Sequence, residues 1–317
     1  MRGEEIAVIF RESFRWRESP SSVWLRMSAL GVVRARTWWS AALGWIDGLT
    51  WRMIEMNRTD QDWEKWGEKS PYFGVLSVPR FESPQMAMEA RTEFFASGEE
   101  HMAAVLAAIR RREGGVFHAR QGVDIGCGVG RLAIPMAKSC GHVHAVDVSP
   151  SMLVETSRNR DEVGVTNLDT VLADDELTRV PFNVDLMHSY LVLQHVPSAR
   201  GRKIIEAMAA RVSQGGYIAF QFYVACNAAP LVRALVKLRY LLPPFNWMRN
   251  LIRSRPLFEQ PMQLHVYPLP SILAALRRAG FSEVELYLDT EDGGNFESVF
   301  LLAKRTQQSS SISNPYS

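Results

Sequence analysis

The stretch Gly122–Ile125 followed by Gly126-Cys127-Gly128-Val129-Gly130 limits the possible folds more than any other segment of the chain. A short apolar run ends in three glycines at every second position, and a second apolar segment, Leu132–Ala137, follows. This order reads as a buried strand, a tight turn and a helix. Glycines let backbone approach a ligand where a Cβ would collide, and a helix N-terminus offers unbonded N–H donors. The segment is therefore expected to cradle a cofactor. A dinucleotide fingerprint, G-x-G-x-x-G, is not met: its sixth position is Arg131, and the third glycine comes one place early at Gly130. The Gly-Lys-Ser/Thr ending of a phosphate-binding P-loop is also absent.

The landmarks beyond the turn alternate strand and helix. His142–Asp147 reads as a second strand ending in an acid, seventeen residues after Gly130. Ser149 is placed as N-cap with Pro150 at the first helical position. Thr170–Ala173 is a third strand, with Asp174 and Asp175 behind it. Val184–Tyr190 is a fourth, running into Leu191-Val192-Leu193-Gln194-His195-Val196-Pro197. A fifth follows the Gly215-Gly216 turn and ends at Tyr223. Ile272–Ala279 is an amphipathic helix stopped by Gly280, and Glu283–Leu288 and Val299–Ala303 pair as a terminal hairpin.

The form Asp124-x-Gly126-x-Gly128-x-Gly130 resembles the first motif of the class I S-adenosylmethionine (SAM) dependent methyltransferases, and the later landmarks extend that resemblance over residues 100–305. The resemblance implies an α/β fold: a Rossmann-like doubly wound sheet with a C-terminal antiparallel hairpin, a helical N-terminal cap and a lid insertion. The expected organisation is a Trp-rich helical region over residues 1–70, a helical cap over 71–115, a SAM-binding core over 116–305 with its lid at 225–270, and a disordered tail over 306–317. SAM is the implied cofactor. Its expected contacts are Asp124, Gly126, Cys127, Gly128, Gly130, Arg131, Asp147, Val148, Met152, Asp174, Asp175, Ser189 and Tyr190. Asp147 would accept from the ribose hydroxyls, and an acid after the third strand would meet the adenine amino group. The stretch Phe94–His101 resembles segments that precede the core in bacterial methyltransferases, which implies that it closes over the cofactor. A helix is expected from about Pro84 to Arg112, interrupted near Ser97-Gly98.

Transfer from a sulfonium to a hydroxyl needs alignment, exclusion of water and a proton acceptor. His195, after the fourth strand, is the first candidate base; His265, at the end of the lid, is the second. A purely structural role for His195 stands beside this. The Asn/Asp-Pro-Pro-Tyr/Phe tetrad of exocyclic-amine methyltransferases is replaced by Ser189-Tyr190-Leu191-Val192, which disfavours DNA and protein-glutamine acceptors. The expected function is methylation of a small molecule, at oxygen: a metabolite, saccharide or lipid intermediate. Two alternatives are a non-catalytic SAM- or SAH-binding module and a membrane-associated lipid or quinone methyltransferase.

A net charge of +2 gives no global case for nucleic acid, and none is expected as partner. Cys127, Cys140 and Cys226 lack metal-ligand spacing; no metal is expected, and the cysteine usage suggests a reduced, cytoplasmic chain. Ile6–Phe10 is too short an apolar run for a signal peptide. Eight of the nine tryptophans fall within residues 1–66, which calls for a specific use of that region. Either its aromatic face packs on the core, or residues 23–49 make a peripheral membrane contact. The lid carries Arg233, Lys237, Arg239, Arg249, Arg253 and Arg255 against a single acid, Glu259, and its prolines predict several short pieces.

Overall fold

The computed structural model describes residues 48–306, apart from residues 84–85, 254, 258, 260 and 292–293. The chain divides into two units, residues 1–56 and 57–317. Of the first, only the backbone of a helical segment from Gly48 is described. Most of the Trp-rich region, nearly all of residues 23–49, for which core packing and membrane contact are the alternatives, and the tail from 307 lie outside the described residues.

The second unit is built on seven strands: β1 (Ala119–Ile125), β2 (Cys140–Asp147), β3 (Leu168–Leu172), β4 (Val184–Ser189), β5 (Val212–Cys226), β6 (Phe281–Glu291) and β7 (Phe296–Arg305). Their order is β3-β2-β1-β4-β5-β7-β6. The first five run parallel, and β7 inserts antiparallel between β5 and β6. The helices are α1 (Gly48–Lys69), α2 (Pro71–Val75), α3 (Met88–Arg112), α4 (Ala133–Ala137), α5 (Pro150–Glu162), α6 (Ser198–Arg211), α7 (Pro230–Leu241), α8 (Pro243–Ile252) and α9 (Leu269–Arg278). The Rossmann-like sheet with its antiparallel hairpin is thus present.

Alternation along the central strands feeds two cores. Leu186, Ala219 and Leu302 pack with Met102, Leu106 and Ile109 of α3 on one face. Val123, Met187 and Ile218 pack with Ile205 and Met208 of α6 and Leu276 of α9 on the other. Each fully buried large side chain contributes about 1.5–3 kcal/mol. A sheet covered on both faces leaves its carboxyl edge as the place for a site. The chain reverses direction of winding between β1 and β4, so their carboxyl ends open a crevice there.

Three elements differ from the sequence expectations. α3 runs unbroken through Ser97-Gly98. Gly98 is there for contact: a Cβ on it would lie 2.0 Å from the carbonyl oxygen of Arg131. β2 begins at Cys140, two residues before the expected His142, close behind the short helix Ala133–Ala137. Gly215, with φ +79°, is an irregularity inside a longer β5 and not its start, and the pairing with β4 shifts register between Val184 and Leu186. Within residues 225–270 the chain forms two short helices, α7 and α8, with Pro243 opening the second.

Candidate functional site

The site grows from the carboxyl ends of β1 and β2. Gly126, Gly128 and Gly130 all adopt positive φ (73°, 55° and 87°), which a side chain would strain. The turn is stitched to β2: Gly126 and Cys127 donate their N–H groups to the Val146 carbonyl. Gly128 N–H donates to Asp147 Oδ2 at 2.9 Å, and Ser149 N–H to Asp147 Oδ1 at 2.9 Å. Burial pushes the Asp147 carboxyl up to about 6, against the lowering effect of those backbone donors. Ser149 caps α5 through the Met152 N–H, as its position before Pro150 predicted.

Above this floor lies a cleft of about 920 Å³, its open mouth included. Gly126, Gly128, Asp147, Val148 and Met152 line one side, and Asp174 and Asp175, just past β3, line another. Tyr190 and His195 contribute from the segment after β4. The remaining wall comes from the N-terminal side of the unit: Thr59, Asp60 and Trp63 of α1 and Gly74 and Val75 of α2. The cover is close. A Cβ on Gly126 would come within 2.3 Å of Val192, and one on Gly128 within 2.4 Å of Val75.

α1 docks through one helical face, Asp60, Trp63, Glu64 and Gly67, at spacings of three and four. Glu64 accepts from Ser149 Oγ (2.6 Å), Ser151 Oγ (2.7 Å) and Ser151 N–H (3.2 Å), so its charge sits at the N-terminus of α5. Burial raises the Glu64 carboxyl, but the serine hydrogen bonds outweigh it and hold it below the ordinary range. Gly67 is required by the fit, since a Cβ there would lie 2.5 Å from Ser149 Oγ. The spacing of these residues lies within one short stretch of sequence. Their partners lie far along the chain.

His195 ends a 3-10 turn after β4. Its Nδ1 lies 2.9 Å from the Gln263 carbonyl, which can only accept, so Nδ1 carries the proton and Nε2 keeps its lone pair. Trp63 meets the ring edge-on at 5.0 Å. Burial pulls the His195 pKa down to about 4; the Gln263 bond opposes this and His265 adds to it. His265 lines neither the cleft nor the smaller pocket beside His195. It is tied by its N–H to the Gln194 carbonyl, 2.7 Å.

Asp124, Cys127, Gly130, Arg131 and Ser189 lie behind the cleft wall and do not line it. Strand parity explains Asp124: it pairs with His188 in register and both point to the α3 face. Asp124 Oδ1 bonds His188 Nδ1 at 2.9 Å, and His188 Nε2 meets His101 Nε2 at 3.0 Å, all three buried. The Arg131 guanidinium lies 5.9 Å over the Tyr190 ring and reaches Ser97 Oγ; burial lowers its pKa to about 10. Cys127 packs against Thr156, with its thiol raised by burial. Gly130 faces Ile134 and Thr156, and Ser189 Oγ donates to the Ile125 carbonyl. Phe94–His101 lies within α3 on this same hidden side, so the segments that close over the cleft are α1 and α2 instead.

Residues 123–216 match the family model of a methyltransferase domain. A ubiquinone biosynthesis O-methyltransferase of Cupriavidus pinatubonensis is 32% identical over 121 residues, 38% of this chain and 47% of the relative. Phosphoethanolamine N-methyltransferase 1 of Zea mays is 29% identical over 33% of this chain and 21% of its own length. The chain spans about half the length, or less, of the curated relatives it matches. Among solved structures, magnesium protoporphyrin IX methyltransferase of Synechocystis PCC 6803 with bound SAH superposes with a TM-score of 0.52 at 18% identity, covering 78% of this chain and 100% of that one. The glycine turn, the strand-end acid and the strand order therefore carry one family assignment: the core of this chain is a class I S-adenosylmethionine-dependent methyltransferase domain.

Proposed function

We propose that the protein is a SAM-dependent methyltransferase acting on the oxygen of a small, largely apolar acceptor. The observation that carries this is the shared cleft: Asp147 and His195 line one cavity, and the Gln263 bond at His195 Nδ1 leaves the Nε2 lone pair unprotonated. The residues fit SAM. The cleft offers the Asp147, Asp174 and Asp175 carboxylates to a ligand whose ribose hydroxyls and adenine amine are donors and whose sulfur is cationic. Bound there, SAM supplies an activated methyl group.

The chain supplies alignment, exclusion of water and a proton acceptor. α1 and α2 cover the glycine turn, and Trp63, Leu191, Val192 and Val196 make the adjoining wall apolar. As the acceptor oxygen gains its methyl bond, its proton passes to His195 Nε2. The oxygen is then far more acidic than an imidazolium, so a weakened base suffices, provided it is neutral. Burial keeps His195 neutral at physiological pH. His265, held next to His195 through Gln194, is placed to tune that base and not to touch the acceptor. The names of the relatives, which include O- and N-methyltransferases of small molecules, support the acceptor class without fixing its atom.

The test is a melting titration with SAH, followed by turnover of radiolabelled SAM over a panel of phenols, hydroxylated lipids and sugars. A saturable rise in Tm with transfer to a hydroxyl is expected. Binding with no turnover on any acceptor would favour a regulatory SAH-binding module, and transfer to an amine alone would overturn the oxygen assignment.

A further inference from the structure

α8 is amphipathic in the reverse sense. Its buried positions are Asn246 and Asn250, while Trp247, Met248, Leu251 and Ile252 are exposed, the last two by 71% and 75%. The asparagines are consumed internally: Asn246 Nδ2 donates to the Glu259 carbonyl, and Asn250 Nδ2 to the carbonyls of Pro256, Leu257 and Glu259. α7, packed beside it, repeats the outward pattern with Leu231, Val232, Leu235 and Val236, and every residue from 230 to 237 is exposed. Leu242 and Phe245 continue the apolar surface across the corner between the helices. In water, helices settle with their apolar face inward. Two adjacent helices that do the opposite form a patch that calls for an occupant.

Charge identifies the occupant. Residues 227–258 contain six cations and no acid. Arg233, Lys237 and Arg253 are exposed beside the apolar side chains, whereas Arg255 is engaged by Glu82. Apolar side chains with Trp among them, fringed by lysine and arginine, match an anionic lipid surface. A protruding first helix that is exposed on all sides of its opening turns suits insertion into a fluid phase better than a fixed complementary surface.

We infer that α7 and α8 form a membrane-docking hairpin that inserts Leu231, Leu235, Trp247, Leu251 and Ile252 into the headgroup boundary of an anionic bilayer. No helix among the described residues is long and apolar enough to cross a membrane, so the contact is peripheral. The hairpin leads directly to the site, because the segment that clamps Asn246 and Asn250 continues to Gln263, which holds His195. Docking therefore brings the rim of the cleft to the lipid surface, and it does so whether or not methyl transfer is the reaction.

The experiment is flotation of the full chain with vesicles of phosphatidylglycerol and phosphatidylcholine in equal parts, and with phosphatidylcholine alone. Wild-type protein should float with the anionic vesicles at least tenfold more strongly than with the neutral ones. The pair Leu251→Asp and Ile252→Asp should weaken that binding tenfold or more, and Arg233→Glu with Lys237→Glu should weaken it on anionic vesicles only. Unchanged melting and unchanged SAH binding of the variants show that the fold is intact. Three results would overturn the inference: no flotation of the wild type, flotation of the Leu251→Asp and Ile252→Asp pair equal to wild type, or a wild-type dimer in sedimentation that this pair converts to monomer without any vesicle binding.

Discussion

Asp60 and Arg200, 140 residues apart, close one margin of the cleft as a two-pronged ion pair: Nη1 to Oδ1 at 2.6 Å and Nη2 to Oδ2 at 2.8 Å. Arg200 Nε also donates to Asp175 Oδ1 at 2.7 Å, so a single guanidinium joins α1, the loop after β3 and α6. The arginine is 7% exposed and the Asp60 side chain 40%. Removing the cation leaves two carboxylates facing each other, whereas neutralising Asp60 leaves Arg200 still paired with Asp175. Arg200→Met should therefore cost about 1–3 kcal/mol in urea denaturation, and Asp60→Asn less than about 1 kcal/mol. Equal losses would mean that Asp175 contributes nothing to the latch.

Asp147 offers a pH signature of ligand binding. Its pKa in the free protein is raised to about 6, chiefly by burial. Ribose hydroxyls donate to the ionised form, so bound ligand must pull that pKa down, and SAH affinity should rise with pH through about 6. Below that value the dissociation constant should grow by up to tenfold per pH unit. The sign for stability is opposite. A carboxyl whose folded pKa is raised takes up a proton on folding between its unfolded pKa and about 6, so its burial is least unfavourable at acid pH and stability falls as pH rises through that window. Asp147→Asn should remove the pH dependence of SAH binding in calorimetry while weakening the complex; a wild-type affinity flat from pH 5 to 8 would show that the ligand does not touch this carboxylate.

Much of this was legible in the sequence because it is local. The glycine turn, the acid at the end of β2 and the cap at Ser149 are set by neighbours within a few residues. Asp124 shows what a motif alone leaves out. Strand alternation turns it to the α3 face, toward His188 and His101, although it belongs to the glycine pattern. Gly98 resembles a helix break in the sequence because composition cannot tell a glycine that ends a helix from one that admits a neighbour. The face of α1 carries a readable spacing, but its partners Ser149, Ser151 and Arg200 are fixed only by the fold.

His195 should act as a base without titrating near neutrality. Its pKa is lowered to about 4, mainly by burial, so kcat/KM should show no acid limb from this residue near pH 6.5; its limb should fall near 4, below the one that Asp147 imposes through binding. His195→Gln should lower kcat by about 10²–10⁴ and leave SAH affinity within a few-fold. A fall in SAH affinity as large as the fall in kcat would make His195 an organiser of the loop after β4 and not a proton acceptor.

Gly98→Ala sets two effects of opposite sign against each other. In the middle of an exposed helix the change would stabilise by about 1 kcal/mol through helix propensity. Here the new Cβ would stand 2.0 Å from the Arg131 carbonyl oxygen and 2.9 Å from its carbon, both backbone atoms that cannot rotate away. α3 must back off the segment that follows the glycine turn, and overpacking of this kind costs about 1–3 kcal/mol. Contact wins over propensity, so Gly98→Ala should lower Tm. Because the displaced segment carries Arg131 beneath Tyr190, a cleft residue, SAH affinity should fall as well. A raised Tm with unchanged SAH binding would mean that α3 sits farther from the glycine turn than this contact requires.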